Sequence, residues 1–337
     1  MTYSVAAVDD ESQWEWFVLQ TSPNALFQSW LWGDVQKRMG ANVSRYGIFE
    51  GKVLCGVFQT VDVRARRGAF LHVRHGPVLA APTEALWRAT FNFLRQEANK
   101  RNMWFIRMNP VLADAPDLRH MFAAEGLRPA AIHRMDGEQC WILDLSQSEE
   151  EILSGMRKTT RYEVRSAAKE GVEVFSTTNP IHLKEFFALY KETSTRHGFV
   201  PHNGIREEFE VFTKKNQAVL YLGKVGGKTR SAAIILYYGY QAIYHHGASV
   251  PSKEPVSYAV QWEAIREAKK RGMKVYNFWG IAPENSAKHP WRGITLFKKG
   301  FGGREINYIH AHDLPISPLY ILPRTVELVR RMSRGYD

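Results

Sequence analysis

The chain has 337 residues, of which 45% are hydrophobic, 12% aromatic and 23% charged. These proportions exclude a disordered chain, a collagen-like repeat and a disulfide-rich scaffold, and the length suits about two domains. The formal net charge of +11 favours polyanionic partners such as nucleic acid, nucleotide diphosphates or an anionic membrane face.

Cysteine usage and the N-terminal sequence both point to the cytoplasm. Cys55 and Cys140 form no CxxC pattern, which predicts a reducing compartment and no structural disulfide. The first residues, MTYSVAAVDDESQW, are acidic where a signal peptide needs a basic and then an apolar region. The longest apolar run, Ala232–Tyr238, is far shorter than the ~20 residues that span a bilayer. We therefore expect a soluble, cytoplasmic protein.

An internal repeat organises the chain. The segment Glu97–Met103 recurs as Glu267–Met273 with five identities, and each copy closes a helix that leads into an apolar strand. The predicted elements of the first copy are strands at 45–50, 53–63 and 69–73, a helix with apolar positions Leu86, Ala89, Phe93 and Leu94, and a strand at 104–108. Those of the second copy are strands at 218–225, 231–238 and 242–249, a helix with apolar positions Val260, Ala264, Ile265 and Ala268, and a strand at 275–279.

A β-meander, a helix and one more strand, present twice, predict an α/β (α+β) protein with two tandem domains built on mixed sheets. We place a boundary near Ser146, where a strand gives way to polar residues, and expect Ser148 to cap an acidic helix start. The first domain is then 1–145 plus a C-terminal helix at 315–337, and the second is 146–314.

A row of cations follows the boundary. Arg157, Arg161, Arg165 and Lys169 recur every four residues, so they share one face of a helix that we expect to end at Gly171. Guanidinium groups match phosphate oxygens in charge and geometry, so this face is a candidate phosphate track. A solvated helix face remains the alternative.

A second basic cluster, Leu296–Arg304, combines three glycines with Lys298, Lys299 and Arg304. The glycines would let the backbone approach a ligand closely, and a hairpin with a basic tip is the alternative. The chain has neither a P-loop nor the [RQ]xxGx[GA] pyrophosphate loop of acetyl-CoA-dependent transferases, and it lacks a Gly-x-Ser-x-Gly elbow. His310 and His312 could share a strand face, but no third ligand lies nearby in sequence, so we predict no metal site.

The C-terminal segment from Pro318 to Gly335 is predicted to form an amphipathic helix. Its apolar positions include Leu322, Val326, Val329 and Met332, and four arginines accompany them. We expect it to dock onto the first domain, with contact to anionic lipid as the alternative.

Together these segments resemble the FemABX family, the aminoacyltransferases that build peptidoglycan interpeptide bridges. The resemblance lies in 157–174, 244–249, 261–281 and 296–303, in the same order and spacing, and it is strongest in the second half. It implies two tandem GNAT-like domains without the helical arm of some members, the first binding the precursor and the second carrying acyl transfer. It also implies the reaction: an amine on the peptide stem of UDP-MurNAc-pentapeptide or lipid II attacks the ester of an aminoacyl-tRNA, with no metal and no bound cofactor.

The resemblance assigns roles to individual residues. Lys298, in a Phe-Lys motif with Phe297, corresponds to a lysine proposed to stabilise the tetrahedral transition state, and Tyr244 lies in a stretch that lines the cleft. Lys37 stands where relatives grip the diphosphate or sugar of the precursor, and we expect Lys37 and Lys298 to open onto one crevice. The expected RNA- or phosphate-binding residues are Arg157, Arg161, Arg165, Lys169, Lys299 and Arg304.

Departures from the family pattern affect the substrate-binding residues. Trp104 and Asn109 stand where relatives have a Tyr and an Asp, and an amide cannot accept a proton, so Asn109 is not a general base. Near Arg196, His202 and Arg206 replace an Arg and a Tyr. His246 is a further substrate-binding candidate; it and its neighbour His245 are candidate bases by residue type, and the tRNA ribose or the substrate is an equal alternative.

Two other functions stay open on the sequence. One is an N-acyltransferase of the same fold that uses acyl-CoA or another activated donor. The other is an RNA- or membrane-associated factor that keeps the fold without the chemistry. We expect a monomer in each case.

Overall fold

The structure is a computed structural model that describes residues 2–65, 68–284 and 289–333. The strands in chain order are β1 (Tyr3–Ala7), β2 (Val43–Glu50), β3 (Val53–Ala65), β4 (Gly68–His75), β5 (Val78–Leu79), β6 (Phe105–Pro110), β7 (Arg128–Pro129), β8 (Gln139–Asp144), β9 (Val172–Thr177), β10 (Ala218–Val225), β11 (Lys228–Tyr238), β12 (Gln241–Ser249), β13 (Val275–Gly280), β14 (Arg304–Asn307) and β15 (His312–Pro315). The α-helices are α1 (Glu11–Thr21), α2 (Trp30–Arg38), α3 (Glu84–Lys100), α4 (Pro116–Ala124), α5 (Glu149–Gly155), α6 (Lys158–Ser166), α7 (Leu183–His197), α8 (Ile205–Thr213), α9 (Val256–Lys270), α10 (Arg292–Lys299) and α11 (Ile321–Ser333).

The chain divides into two compact units, one formed by 1–139 with 307–337 and the other by 140–306. The sheet of the first unit has the order β1-β2-β3-β4-β6-β15-β7, with β5 beside β3. The sheet of the second unit has the order β14-β8-β13-β12-β11-β10-β9. A parallel pair occurs in each sheet, β4 with β6 in the first and β12 with β13 in the second, alongside antiparallel pairs, so both sheets are mixed as predicted.

The predicted repeat is present in the fold. In the first unit the meander β2-β3-β4 leads through α3 to β6, and in the second the meander β10-β11-β12 leads through α9 to β13. The apolar stripe of α9 is buried at the four predicted positions. In α3, Leu86 and Leu94 are buried as predicted, and Phe93 packs partly buried against the same core. The core face also includes Trp87 and Phe91, which were not predicted, whereas Ala89 is only half-buried.

The observed unit boundaries lie earlier than the expected ones at 145/146 and 314/315. Strand β8 pairs antiparallel with β13, opposite Tyr276, and so belongs to the second sheet. Strand β15 pairs with β6 and so belongs to the first. The predicted cap after the boundary is present, because Ser148 and Glu151 exchange side-chain to backbone hydrogen bonds at the start of α5.

The C-terminal helix α11 packs on the first unit, as predicted, but not through the predicted stripe. Its one buried residue is Pro323, and Glu327 forms an ion pair with Arg107. The apolar positions that were expected to dock, Leu322, Val326, Val329 and Met332, are all exposed. None of the helices within the described residues combines the length and hydrophobicity needed to cross a bilayer.

Candidate active site

Lys298 is the central feature of the second unit. It lies in the last turn of α10, is buried, and donates a hydrogen bond from Nζ to the carbonyl oxygen of Gly280 at 2.5 Å. Burial lowers the pKa of Lys298 to about 7, an effect that the nearby Cys140 thiol opposes. No carboxylate among the described residues pairs with it, so this lysine populates both its charged and its neutral form near neutral pH.

Tyr244 provides one wall beside Lys298. The ammonium nitrogen lies 5.9 Å from the centre of the Tyr244 ring, within the range of a cation–π contact. Burial raises the pKa of Tyr244 to about 12, so its hydroxyl stays protonated. A Cβ at Gly247 would lie 1.9 Å from that hydroxyl oxygen, so only glycine leaves room for the ring.

Phe297 is placed differently from its predicted catalytic role. Its ring packs against Tyr258 and Phe301, with centroid distances of 5.1 and 5.3 Å, at the edge of the core. These contacts hold α10, the helix that carries Lys298, against the core, and the catalytic role of Phe297 stays a prediction.

The end of β13 is conformationally strained. Trp279 has φ = 67°, a left-handed conformation that is unusual for a bulky residue. Asn277 Oδ1 accepts a hydrogen bond from the Trp279 amide at 2.8 Å and supports this turn. The turn is followed by the Gly280 carbonyl that Lys298 binds, and the Trp279 ring meets the edge of His245 at 5.1 Å.

A β-bulge in β12 brings two adjacent histidines to one carboxylate. Ile234 of β11 pairs with His246 and Ile235 with Tyr244, so His245 is the extra, unpaired residue. Neighbouring residues of a regular strand point to opposite faces, but here His245 Nδ1 and His246 Nε2 each lie 3.0 Å from Glu208 Oε1.

Glu208 is buried on α8 and was missed by sequence reasoning. Burial by itself raises the pKa of this carboxyl, but the two imidazoles lower it far below its ordinary value, so the group is ionised. A carboxylate only accepts hydrogen bonds, so the ring nitrogen that each histidine turns toward Glu208 is the donor. In the neutral tautomer of His246 that satisfies this contact, Nδ1 carries the free lone pair. Among the described residues, Glu208 is the only hydrogen-bond partner of the His246 ring.

Glu208, His245 and His246 could together hold a metal ion, because their ligand atoms all lie within 4.8 Å of one another. Among the described residues, no other group of three or more His, Cys, Asp or Glu side chains meets this criterion. A divalent ion would find two imidazoles and a carboxylate here. This cluster is therefore the place to test the prediction that the protein needs no metal. The histidines considered from sequence lie elsewhere: His310 contacts Glu138 at 2.6 Å, and His312 Nδ1 contacts the His310 carbonyl.

The three substrate-binding candidates in and after the last turn of α7 differ in position. The exposed His202 faces His246, with ring centroids 6.0 Å apart, and so joins the cluster. Arg206 lies over the Phe187 ring and pairs with Glu210 at 3.6 Å. Arg196 donates to the Ser249 carbonyl at 2.8 Å, which ties α7 to the end of β12.

The predicted cationic helix face is shorter than expected. Helix α6 ends at Ser166, so only Arg161 and Arg165 lie within it; Arg157 is its N-cap and Lys169 lies in the following turn. Arg161 donates to the Ser154 carbonyl at 2.9 Å, whereas Arg157, Arg165 and Lys169 are exposed. The residues after Ser166 form a turn that ends at Gly171, whose φ is 74°.

The glycines of the second basic cluster serve packing rather than ligand approach. A Cβ at Gly303 would lie 2.1 Å from the Ile142 carbonyl oxygen, so this turn is pressed against β8. Lys299 pairs with Glu284 at 3.3 Å and lies 4.9 Å from the Trp141 ring centre. Arg304 is exposed at the start of β14.

In the first unit, Asn109 is buried near the end of β6 and accepts a hydrogen bond from the His75 amide at 3.2 Å. Its amide nitrogen lies 3.4 Å from Asp136 Oδ2 and 3.5 Å from Glu138 Oε1, two carboxylates that sequence reasoning missed. Burial by itself raises the pKa of Asp136, but Arg74 lowers it well below its usual range, and Arg74 Nε lies 3.0 Å from Asp136 Oδ2.

The other two first-unit candidates have simpler surroundings. Lys37 is exposed in the last turn of α2. Trp104 precedes β6, where its amide donates to the Ala69 carbonyl at 2.7 Å and its side chain packs on the core. Trp104 is partly buried, and its role in substrate binding stays a prediction.

Comparison with known proteins places this geometry in a family. The model of the FemAB family matches residues 134–204 and 205–327, which together make up more than half of the chain. The aminoacyltransferase FemA of Staphylococcus epidermidis is 31% identical over 104 residues, 30% of this chain and 25% of FemA, so the match spans about a quarter of that relative.

Solved structures agree on the fold. A crystal structure of FemX superposes with a TM-score of 0.82 at 17% identity, covering 96% of this chain and 99% of FemX. A tandem GNAT protein from the clavulanic acid biosynthesis pathway superposes with a TM-score of 0.58 at 12% identity, covering 94% of this chain and 99% of that protein. The predicted fold of two GNAT-like domains is thus confirmed, and the chain belongs to the FemAB family.

Proposed function

We propose that the protein is an aminoacyltransferase that moves an amino acid from aminoacyl-tRNA to the stem-peptide amine of a peptidoglycan precursor, UDP-MurNAc-pentapeptide or lipid II. The observation that carries the proposal is the buried Lys298 amino group at the end of β13, which has no carboxylate partner among the described residues. Family membership and the FemA relative support the class of reaction.

Lys298 acts on the developing oxyanion. When the amine attacks the ester carbonyl, negative charge grows on the carbonyl oxygen, and a nearby ammonium group stabilises it. A lysine whose pKa is near 7 is only partly charged at rest, and the growing anion favours its charged form. The interaction is therefore stronger in the transition state than in the ground state, which is the condition for catalysis.

His246 accepts the proton of the attacking amine. As the new C–N bond forms, that proton moves to His246 Nδ1; as the ester C–O bond breaks, a proton returns to the ribose oxygen of the tRNA. Glu208 holds the opposite ring nitrogen at 3.0 Å and stabilises the imidazolium that forms in between. The amide of Asn109 cannot serve as this base.

The basic surface residues bind the polyanionic partners. Arg157, Arg165 and Lys169 are exposed and contact the phosphates of the tRNA, and Lys37 contacts the diphosphate of the precursor. The net charge of +11 is consistent with two such substrates. Because ions compete at each phosphate contact, transfer weakens steeply as salt is raised.

The test is an incubation of the purified 337-residue chain with a pool of charged tRNAs and, in separate reactions, UDP-MurNAc-pentapeptide or lipid II. Mass spectrometry of the acceptor should show the gain of one or more aminoacyl residues, and ribonuclease treatment of the donor should abolish it. The Lys298→Met variant, assayed in the same way, measures the transfer that remains without the lysine amino group. A wild-type protein that adds no mass to either acceptor, or that adds an acyl group from acyl-CoA without tRNA, would contradict the proposal.

A further inference from the structure

Helix α11 contacts the protein through its polar side. Glu327 accepts two hydrogen bonds from the Arg107 guanidinium, at 2.9 and 2.8 Å, and Arg107 is held in turn by Asp313. Pro323, on the same side of the helix, is buried. These contacts fix the rotation of α11 about its own axis, so the opposite side must face away from the sheet.

That opposite side is apolar. Leu322, Val329 and Met332 are 53, 59 and 73% exposed, and Ile321 and Leu328 are exposed beside them. At 3.6 residues per turn these five positions fall on one continuous face. A helix of a globular protein normally turns its apolar stripe toward the core, because burying apolar surface is favourable. The stripe of α11 has the reverse orientation.

Cations follow one border of this face. Arg324 and Arg331 are seven residues apart on that border, and Arg324 also donates to the Pro129 carbonyl at 2.9 Å. Beyond the other border the exposed Val326 comes first and Arg330 next, beside the buried Pro323. An apolar strip bordered by arginines is the pattern of a helix that lies in the plane of a membrane interface.

We propose that α11 docks the first unit on an anionic lipid bilayer, with its apolar face at the boundary of headgroups and acyl chains and its arginines on lipid phosphates. The helix has 13 residues, which suits lying on a bilayer and is too short for spanning one. Complementary charge selects this occupant over a second copy of the chain, because one border of the face carries arginines and the protein as a whole is basic.

The experiment is co-sedimentation of the protein with two kinds of vesicle, one of phosphatidylcholine alone and one that also contains phosphatidylglycerol. Neither tRNA nor acceptor is present. We expect binding to the anionic vesicles only. Leu322→Glu with Val329→Glu should lower the partition coefficient at least about tenfold, because both acidic groups oppose insertion and anionic lipid. Arg330→Gln with Arg331→Gln should lower it by about fivefold per charge, and by less as salt is raised.

A matched control is Val53→Glu, which changes a valine that is 66% exposed on β3 of the same unit and should leave binding unchanged. Leu322, Val329 and Val53 are all more than half exposed, so thermal melts of the variants at these positions should coincide with that of the wild type. The proposal is overturned if the wild type does not bind anionic vesicles or if the Leu322/Val329 variant binds as well as the wild type. The proposal would also be overturned if light scattering showed that the wild type is a dimer without lipid and that the Leu322/Val329 variant is a monomer. The apolar face would then be the contact with a second copy.

Binding is measured without turnover, so its failure is distinct from a failure of the proposed transfer reaction.

Discussion

The two sheets contain the same parallel strand pair but end it in different ways. In the first unit β4 and β6 stay paired over six positions, from Phe70 opposite Phe105 to His75 opposite Pro110. In the second unit β12 and β13 pair over three, from Gln241 opposite Val275 to Ile243 opposite Asn277. Beyond that point β12 bulges and β13 turns through a strained residue, so the second sheet opens where the first stays closed.

The two units also differ in whether the charged groups at the end of the parallel strand pair have partners of opposite charge. Near Asn109 both carboxylates have partners: Asp136 is hydrogen-bonded to Arg74, and Glu138 contacts His310. At the opening in the second unit, Lys298 has a backbone carbonyl as its partner and no described carboxylate. The two sheets are similar in their strand order, but only the second parts its parallel strands, and the buried amino group of Lys298 binds the Gly280 carbonyl at the end of one of these strands.

The largest expected effect tests the lysine at this opening. Lys298→Met should lower kcat for aminoacyl transfer by about 10²–10³-fold, the range seen when one oxyanion stabiliser is removed. Lys299→Met is the matched control on the same helix, since its ammonium is neutralised by Glu284, and it should change kcat by less than threefold, on the order of a lost surface pair. Equal losses of kcat in both variants would mean that the overall positive charge of α10 matters, and that Lys298 has no specific catalytic role.

Next in size is the carboxylate under the histidine pair. Glu208→Gln should lower kcat by about 10²-fold, because the imidazolium formed at His246 loses its counter-charge. Glu207→Gln is the control, because Glu207 is the neighbouring carboxylate in the first turn of the same helix. Unchanged kcat in Glu208→Gln would remove His246 from the proton path.

Acid stability gives a second measurement on the same variant. His245 and His246 hold the folded-state pKa of Glu208 far below the ordinary 4.5, although burial opposes them. A depressed carboxyl pKa stabilises the folded state above pH 4.5, and this stabilisation is lost as pH falls toward the folded value. The free energy of unfolding of Glu208→Gln should therefore decline less than that of the wild type on acidification below about pH 4.5.

A smaller effect of opposite sign concerns the stability of the lysine site. Burial lowers the folded-state pKa of Lys298 from 10.5 to about 7, so below pH 10.5 the unfolded state gains more from protonation than the folded state. Lys298→Met should raise the free energy of unfolding at pH 7 by about 2 kcal/mol, net of the lost hydrogen bond to Gly280. The gain should shrink as pH rises toward 10. A variant that is less stable at pH 7 would show that the amino group is better solvated than its burial suggests.

Glycine at the bulge should matter less than the charged groups. Gly247→Ala places a methyl group against the Tyr244 hydroxyl and should cost about 1–2 kcal/mol of stability, with a several-fold loss of kcat as the ring moves. Gly293→Ala is the control, because no atom of residues 2–65, 68–284 or 289–333 outside the helix backbone lies within 4 Å of its added Cβ, and Gly293 belongs to α10. It should stabilise the protein by about 0.5–1 kcal/mol.

The sequence predicts the sheets better than the site. Strand β10 has the predicted bounds, and the turn after it falls at Gly226 and Gly227, because hydrophobic runs and glycines are local signals. The contact of Glu208 with His245 and His246 joins segments nearly forty positions apart through a bulge, and no local pattern encodes it. The orientation of α11 was missed for a related reason: periodicity identifies an apolar face but not the surface that it meets.

The smallest effect concerns the seven-residue repeat itself. Both copies end their helix with a residue at positive φ, 53° at Asn102 and 75° at Gly272, and in both an ion pair joins the preceding Glu and Arg. The five identities therefore encode a helix stop, and the two differ in the residue that adopts the left-handed conformation. Asn102→Gly should stabilise the first unit and Gly272→Asn should destabilise the second, each by about 0.5–1 kcal/mol, since glycine adopts this conformation at no steric cost. Chemical denaturation of the two single variants and of the reciprocal swap measures this directly. Opposite and additive shifts are expected for sites in separate units, whereas a non-additive swap would show that the two copies are energetically coupled.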